Sequence, residues 1–125
     1  MQIAIIIGGI ILGGLLLMSG MNHFTKMEKM IEYSKIKKVP MPGLAVSFTG
    51  LMLMFSGVII IGWGFGWWPV MIGPALIILA IFLFFTTMMM HTFWKAAPEK
   101  QMNEMRFFMS NMMLLGAILV ILGLI

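Results

Sequence analysis

The sequence of 125 residues contains no cysteine and few charged residues, and both deficits limit what the protein can do. Without cysteine, disulfides, thiol exchange and thiolate metal ligands are excluded. Charged residues make up 10% of the chain, whereas a globular domain carries charge at about a quarter of its positions. With 62% hydrophobic residues, the composition indicates a membrane protein with a single domain over residues 1–125.

Four apolar runs are each long enough to cross a hydrocarbon core of about 30 Å as a helix. We predict spans at about 2–24, 44–61, 70–91 and 106–125. The fold class that follows is all-α, a bundle of four transmembrane helices. The first run has no preceding Lys or Arg and no A-x-A pattern after it, so we interpret it as an uncleaved helix rather than a signal peptide.

Small residues recur at helical spacing in the first two spans. They are Ala4, Gly8, Gly9 and Gly13 in the first span, and Gly50 and Gly57 in the second. Because small side chains let a neighbouring helix approach closely, we expect helix–helix contacts at these faces.

Every Lys and Arg lies in one of two segments, residues 26–38 after the first span and residues 95–106 after the third. An even number of crossings separates these segments, so they share one side of the membrane, which the positive-inside rule makes cytoplasmic. Both termini and the tryptophan-rich turn at 62–69 then lie outside, in a multi-pass plasma-membrane protein. Residues 26–38 predict an amphipathic segment, either a continuation of the first helix or a short helix lying at the membrane surface. The turn favours an aromatic belt over a ligand-stacking site.

Short motifs follow one another along most of the chain. They are Tyr33-Ser34, Val39-Pro40-Met41-Pro42, Leu44-Ala45-Val46, Gly50, Gly57, Gly62, His91-Thr92-Phe93-Trp94, Met105-Arg106-Phe107-Phe108-Met109-Ser110-Asn111 and Leu114-Leu115-Gly116. In order and spacing they resemble the DoxX family of small four-helix membrane proteins. The resemblance implies an accessory subunit of a membrane redox assembly, linked to a quinone- or sulfur-dependent oxidoreductase. Many members have glutamate and lysine where this chain has Leu53 and Ser110, so a proton or anion step through those groups is not implied here.

Polar side chains near the ends of the spans are the candidates for a ligand site. His91 ends the third span and His23 the first, and each imidazole can hydrogen-bond a quinone carbonyl, relay a proton or simply contact headgroups. Asn111 lies deeper in the last span, where its amide can bind a carbonyl, orient His91 or bridge two helices. Trp94 would form a wall beside His91, and Asn22 has the same alternatives as Asn111.

Methionine is abundant, with 17 residues, and its thioether is a ligand that suits Cu(I). The candidates that share much of one helix face are Met105, Met109, Met112 and Met113. Methionine is also a good helix former and an adaptable apolar filler, so packing is the favoured interpretation.

The charged residues before the last span predict a solvated helix start. Pro98 suits the first turn of a helix, and Glu99 suits the positive end of its dipole. Lys100 and Glu104 have the spacing of an exposed i, i+4 ion pair.

Three classes of function remain open. The first is the accessory redox subunit, with quinone as its ligand; the second is a structural subunit of a larger membrane complex. The third is a carrier of lipid or small solutes, suggested by a faint repeat of helix, charged segment and helix. No nucleophile, cofactor motif or acid within a span indicates catalysis by this chain alone. The expected partners are membrane lipids and other membrane subunits or a second copy, and not nucleic acid.

Overall fold

The computed structural model describes residues 2–125, which form helices joined by short turns. The helices are α1 (Gln2–Thr25), α2 (Met27–Ile36), α3 (Pro42–Gly64), α4 (Ile72–Met90) and α5 (Pro98–Leu124), with a 3-10 helix (Phe93–Lys95) between α4 and α5. No strand occurs in residues 2–125, so the all-α fold class is confirmed over this range.

Four of the helices are long and apolar enough to cross a membrane. α1, α3, α4 and α5 contain 24, 23, 19 and 27 residues. At 1.5 Å per residue each covers about 28 Å or more, close to the thickness of a hydrocarbon core. This is the pattern of a multi-pass membrane protein. α5 begins at Pro98, well before the predicted start of the fourth span at Arg106, because the charged segment forms its first turns.

The chain divides into two compact units, the first ending at Ala75 and the second extending from Leu76 to Ile125. The first unit contains α1, α2, α3 and the start of α4. The second contains the rest of α4, the 3-10 helix and α5. Each unit therefore includes an apolar helix, a charged segment and a second apolar helix, in that order.

In the first unit, α1 and α3 pack against each other through glycines. A Cβ atom built on Gly13 would lie 2.5 Å from the carbonyl oxygen of Gly57, and one built on Gly20 would lie 2.6 Å from that of Gly50. Because a later residue of α1 meets an earlier residue of α3, the two helices are antiparallel. Both glycine pairs have heptad spacing, which is typical of helices that cross at a shallow left-handed angle.

The face of α1 that meets α3 includes Gly9 and Gly13 but not Ala4 and Gly8. Gly9 and Gly13 are buried, whereas Ala4 and Gly8 are exposed, and among the described residues nothing else lies within 4 Å of a Cβ atom built on Gly8. The expected close approach is confirmed for Gly9 and Gly13 and is wrong for Ala4 and Gly8. Successive helix residues are rotated by about 100°, so Gly8 points away from the contact that Gly9 makes.

α2 follows α1 after a one-residue interruption at Lys26, where φ is −116° and ψ is 32°. Met27, Met30 and Ile31 are half-buried, while the charged positions of the helix are exposed. Of the two forms expected for this amphipathic segment, the structure shows a separate short helix. Its last turn ends before Pro40, because proline cannot donate a backbone hydrogen bond and disfavours helix at the preceding residue.

In the tryptophan-rich turn after α3, the N–H groups of Phe65 and Trp67 donate to the carbonyl oxygen of Gly62 at 3.0 Å and 2.8 Å. The ring of Trp68 lies across Gly62, where a Cβ atom would come within 2.5 Å of Trp68 Cζ3. Trp68 has a φ of 51°, an uncommon conformation for a bulky residue. Phe65 and Trp67 stack with ring centroids 5.3 Å apart, and both remain about half exposed. Exposed rings of this kind suit the aromatic belt expected at a membrane surface.

Candidate functional site at the end of α4

The backbone between α4 and α5 places His91 one residue beyond the end of α4. The His91 N–H donates to the carbonyl oxygen of Thr87 at 3.0 Å, so the helical hydrogen-bond pattern extends to His91. The Phe93 N–H then donates to the carbonyl oxygen of His91 at 3.0 Å, and the Lys95 N–H donates to that of Thr92 at 3.0 Å in the 3-10 helix. Ala97 is extended, as the residue before a proline prefers, and Pro98 starts α5. The chain thus reverses in a few residues and brings α5 back toward His91.

The imidazole of His91 and the carboxylate of Glu104 form a pair across this turn. His91 Nδ1 lies 3.3 Å from Glu104 Oε2, and the two side chains are only 15% and 9% exposed. With Glu104 ionised, the carboxylate can only accept, so Nδ1 carries the hydrogen of this contact. Nε2 is then the acceptor of the neutral imidazole, and it becomes a second donor when the ring is protonated. Glu104 therefore fixes both the orientation and the hydrogen-bonding role of His91.

One aromatic ring contacts this pair, and three others pack together between the 3-10 helix and α5. The ring of Phe107 lies 5.3 Å from that of His91, at an interplanar angle of 34°. Phe108, one turn after Glu104 on α5, makes edge contacts with Phe93 and Trp94, whose ring centroids lie 5.2 Å and 5.8 Å from its own. These contacts fasten the 3-10 helix to α5. The polar pair itself is largely shielded from solvent, so its electrostatic interaction is stronger than in bulk water.

One turn further into α4, Thr87 is fully buried. Its Oγ1 has no hydrogen-bond partner among the described residues. A hydroxyl in a helix usually donates to the carbonyl oxygen one turn earlier, and Thr87 does not do so. A buried polar atom without a partner is costly, so this hydroxyl is an unusual feature of α4.

The site residues predicted from the sequence are divided between the two units. His91, Trp94 and Asn111 belong to the second unit, and His23 and Asn22 to the first. Within the second unit, His91 pairs with Glu104, and Trp94 joins the aromatic cluster while remaining 50% exposed. Asn111 is half-buried on α5, two helical turns beyond Glu104.

His23 has a local role at the end of α1. Its Nδ1 lies 2.8 Å from the carbonyl oxygen of Ser19, one turn earlier, and can donate to it. This contact satisfies one nitrogen of the ring within its own helix. Asn22, the neighbouring candidate, is exposed.

The four candidate methionines all lie on α5 and differ in burial. Met105 and Met112 are half-buried, whereas Met109 and Met113 are 53% and 68% exposed. Thioethers that bind Cu(I) must converge on one point. Because Met109 and Met113 are exposed, the four side chains are not all buried together on one face of α5. The role of these residues as soft-metal ligands remains a prediction from the sequence.

Glu104 is the site residue that the sequence interpretation missed. It was expected in a solvated helix start, paired with Lys100, but it is buried and turns to His91, while Lys100 is exposed. The spacing of residues along α5 nevertheless indicates that Glu104 faces inward. Glu104 begins a row along α5 whose members are buried or half-buried, and that row continues through Phe108, Asn111, Leu115 and Ile118. This i, i+4, i+7 spacing marks the inward face of a helix.

No protein-family model, curated protein or solved structure matches the chain. The residues that bear most on function are His91, Glu104 and the adjacent Phe107.

Proposed function

We propose that this chain is a four-span, DoxX-like accessory subunit of a membrane redox assembly, and that it holds a quinone headgroup at His91. The observation that carries the proposal is the mostly buried His91–Glu104 pair, with the Phe107 ring beside His91, at the end of an apolar helix. A polar pair in such a place costs desolvation energy, which a bound polar ligand helps to offset.

The donor set of the site fits a quinone headgroup. Such a headgroup is a flat ring with oxygen atoms at opposite ends, and it carries electrons and protons in the membrane. His91 Nε2 accepts from a quinol hydroxyl when the imidazole is neutral and donates to a quinone carbonyl when it is protonated. Trp94 and Phe107 present flat apolar surface for the ring, and both are about half exposed.

The chemistry itself is assigned to a partner. The chain has no cysteine, so it offers no redox thiol of its own, and the His91–Glu104 pair can bind a headgroup and exchange a proton with it but not electrons. In this proposal the protein positions the headgroup, and an oxidoreductase subunit linked to quinone or sulfur chemistry exchanges electrons with it. The order of apolar helix, charged segment and apolar helix in both units supports the likeness to DoxX proteins.

We assign the protein to the plasma membrane, with its charged segments cytoplasmic and its termini outside. The distribution of charge supports this orientation, because all eight Lys and Arg residues lie in α2 and its flanks or between α4 and the first turns of α5. Cytoplasmic loops of membrane proteins carry such an excess of Lys and Arg. His91 would then lie at the cytoplasmic end of α4.

A purely structural subunit is the second candidate function, and α5 favours it. Although α5 is the longest helix, its buried residues are Glu104, Leu115 and Ile118 only. Large apolar side chains such as Met113 and Leu124 are more than two-thirds exposed. A helix of this kind can face lipid, or it can pack against another membrane subunit or a second copy of the chain.

Quinone content after purification tests the proposal. The wild-type protein and the variants His91→Ala and Glu104→Gln are purified in mild detergent, and the extracted lipids are analysed by mass spectrometry. His23→Ala is the matched control, since it removes an imidazole that bonds within its own helix. We expect the wild type and the control to retain quinone. The quinone content of His91→Ala and Glu104→Gln should fall roughly tenfold, as for the loss of one hydrogen bond to a charged group. Absence of quinone from the wild type would leave the structural subunit as the better function.

A further inference from the structure

Thr87 differs from the other hydroxyl residues whose contacts are known in this chain. Ser47 donates to the carbonyl oxygen of Gly43 at 3.0 Å, and Thr49 donates to that of Val46 at 3.1 Å. Both satisfy their hydroxyl within their own helix, although both are only partly buried. Thr87 is fully buried and yet leaves Oγ1 without such a bond. The difference points to a partner outside the described protein atoms, because buried hydroxyls in native proteins are almost always bonded.

Thr87 lies on the same side of α4 as His91. The two residues are four apart, and the backbone bond from the His91 N–H to the Thr87 carbonyl keeps the helical geometry between them. Side chains at this spacing are neighbours, with their Cβ atoms about 6 Å apart. An oxygen atom placed between the two side chains is therefore within reach of both.

We infer that the Thr87 hydroxyl is the inner contact of the candidate site and hydrogen-bonds an oxygen atom held beside His91. The inference rests on the proposed function for the identity of that atom, which is then the quinone oxygen nearest to α4. A water molecule supplies the same chemistry. The polar groups form a line from Glu104 through His91 to Thr87, which takes the site from the charged start of α5 into the apolar part of α4.

The Thr87 hydroxyl would also make the site select ligands that carry an oxygen atom. A hydroxyl that is fully buried cannot turn to water when an apolar molecule occupies the space beside it. Molecules without an oxygen at that position therefore leave Thr87 unpaired and bind less well. Discrimination by an unpaired buried group is stronger than discrimination by apolar fit.

The experiment uses Thr87→Val, Thr87→Ser and the control Thr86→Val, all in lipid nanodiscs. Valine has nearly the shape of threonine without the hydroxyl, and serine keeps the hydroxyl. Thr86 is the adjacent residue of α4 and is half exposed. Two quantities are measured: the Kd for a short-chain ubiquinone, and the Tm of the quinone-free protein. His91→Ala serves as the reference for loss of the site.

We expect Thr87→Val to raise the Kd roughly tenfold, as for the loss of one hydrogen bond, while Thr87→Ser and Thr86→Val stay within about twofold of wild type. If Thr87→Val binds as wild type does while His91→Ala binds weakly, the inference is overturned and the proposed function stands. That pattern would mean that the hydroxyl contacts nothing in the site.

If the wild type binds no quinone, the proposed function fails, and the Tm of the protein then tests the inference about the Thr87 hydroxyl by itself. A lower Tm for Thr87→Val than for Thr86→Val would show that the hydroxyl bonds an ordered water, which supports the inference with water as the source of the oxygen. An equal or higher Tm would overturn it, because removing an unsatisfied buried hydroxyl is neutral or stabilising.

Discussion

Gly13 of α1 and Gly57 of α3 meet at a point where neither helix has room for a side chain. A Cβ atom on either glycine would lie 2.5 Å from the carbonyl oxygen of the other. Backbone cannot move aside as the end of a flexible side chain can, so the whole helix would have to shift. The contact limits the distance between the two helices, and together with the Gly20–Gly50 contact it defines their antiparallel register in the first unit.

We expect Gly13→Ala to destabilise the protein by about 1–3 kcal/mol, the usual cost of forcing extra volume into a packed contact. Gly14→Ala is the matched control. Gly14 is the adjacent residue of the same helix, and nothing else in the described chain lies within 4 Å of its Cβ position. Thermal unfolding in detergent compares the two variants. Equal Tm values would contradict a tight α1–α3 contact.

Gly62→Ala tests the contact between Gly62 and Trp68. The added methyl group would come within 2.5 Å of the Trp68 ring, but the ring can turn aside at small cost because the turn is exposed. We therefore expect a changed tryptophan emission spectrum and only a small change in Tm. Gly73→Ala, at a position with open space, should leave the spectrum as it is. An unaltered spectrum for Gly62→Ala would show that the ring does not lie across Gly62.

Two glutamates on α5 differ in burial, and their substitution should differ in effect. Glu104 is buried and bonded to His91, whereas Glu99 is exposed in the first turn. Glu104→Gln weakens a hydrogen bond to a charged group, so we expect its free energy of unfolding to fall by about 1.5–3 kcal/mol. Glu99→Gln should cost much less, because only its favourable interaction with the helix dipole is lost. Similar losses for both variants, measured by denaturant unfolding, would argue against the buried pair.

The orientation in the membrane can be tested because the chain has no cysteine of its own. Single cysteines are introduced at Lys38, Lys100 and Phe65, which are all exposed, and are labelled with a membrane-impermeant maleimide. We expect Lys38→Cys and Lys100→Cys to react only in inverted vesicles. Phe65→Cys should react in intact cells. The reverse pattern would place the charged segments outside.

Much of the fold follows from local sequence patterns. Apolar runs, prolines and turn residues predicted four long helices, and the heptad spacing of Gly50 and Gly57 predicted a packing face that the structure confirms. Ala4 and Gly8 have the same spacing as Gly9 and Gly13 but lie on another face. Spacing alone does not say which of two adjacent rows meets a partner, because that depends on the rotation of the whole helix.

The polar site was harder to predict, since its groups come together only in the folded chain. Glu104 lies between Lys100 and Arg106 in sequence, which suggests a solvated helix start, and its partner His91 is 13 residues away. The role of Thr87 is not predictable from the sequence, because the hydroxyl of a threonine in an apolar helix normally hydrogen-bonds to the backbone of its own helix. His91 was found because a polar residue at the end of an apolar run stands out by itself.

Infrared spectroscopy of a bound quinone tests the proposed site most directly. A quinone labelled with carbon-13 at one carbonyl is bound to wild-type protein and to His91→Ala in nanodiscs, and the carbonyl stretch is isolated by isotope difference. We expect a lowered frequency in the wild type, as for a carbonyl that accepts a hydrogen bond, and a return to the frequency of quinone in lipid in His91→Ala. The same frequency in both proteins, equal to that in lipid alone, would contradict a quinone site at His91.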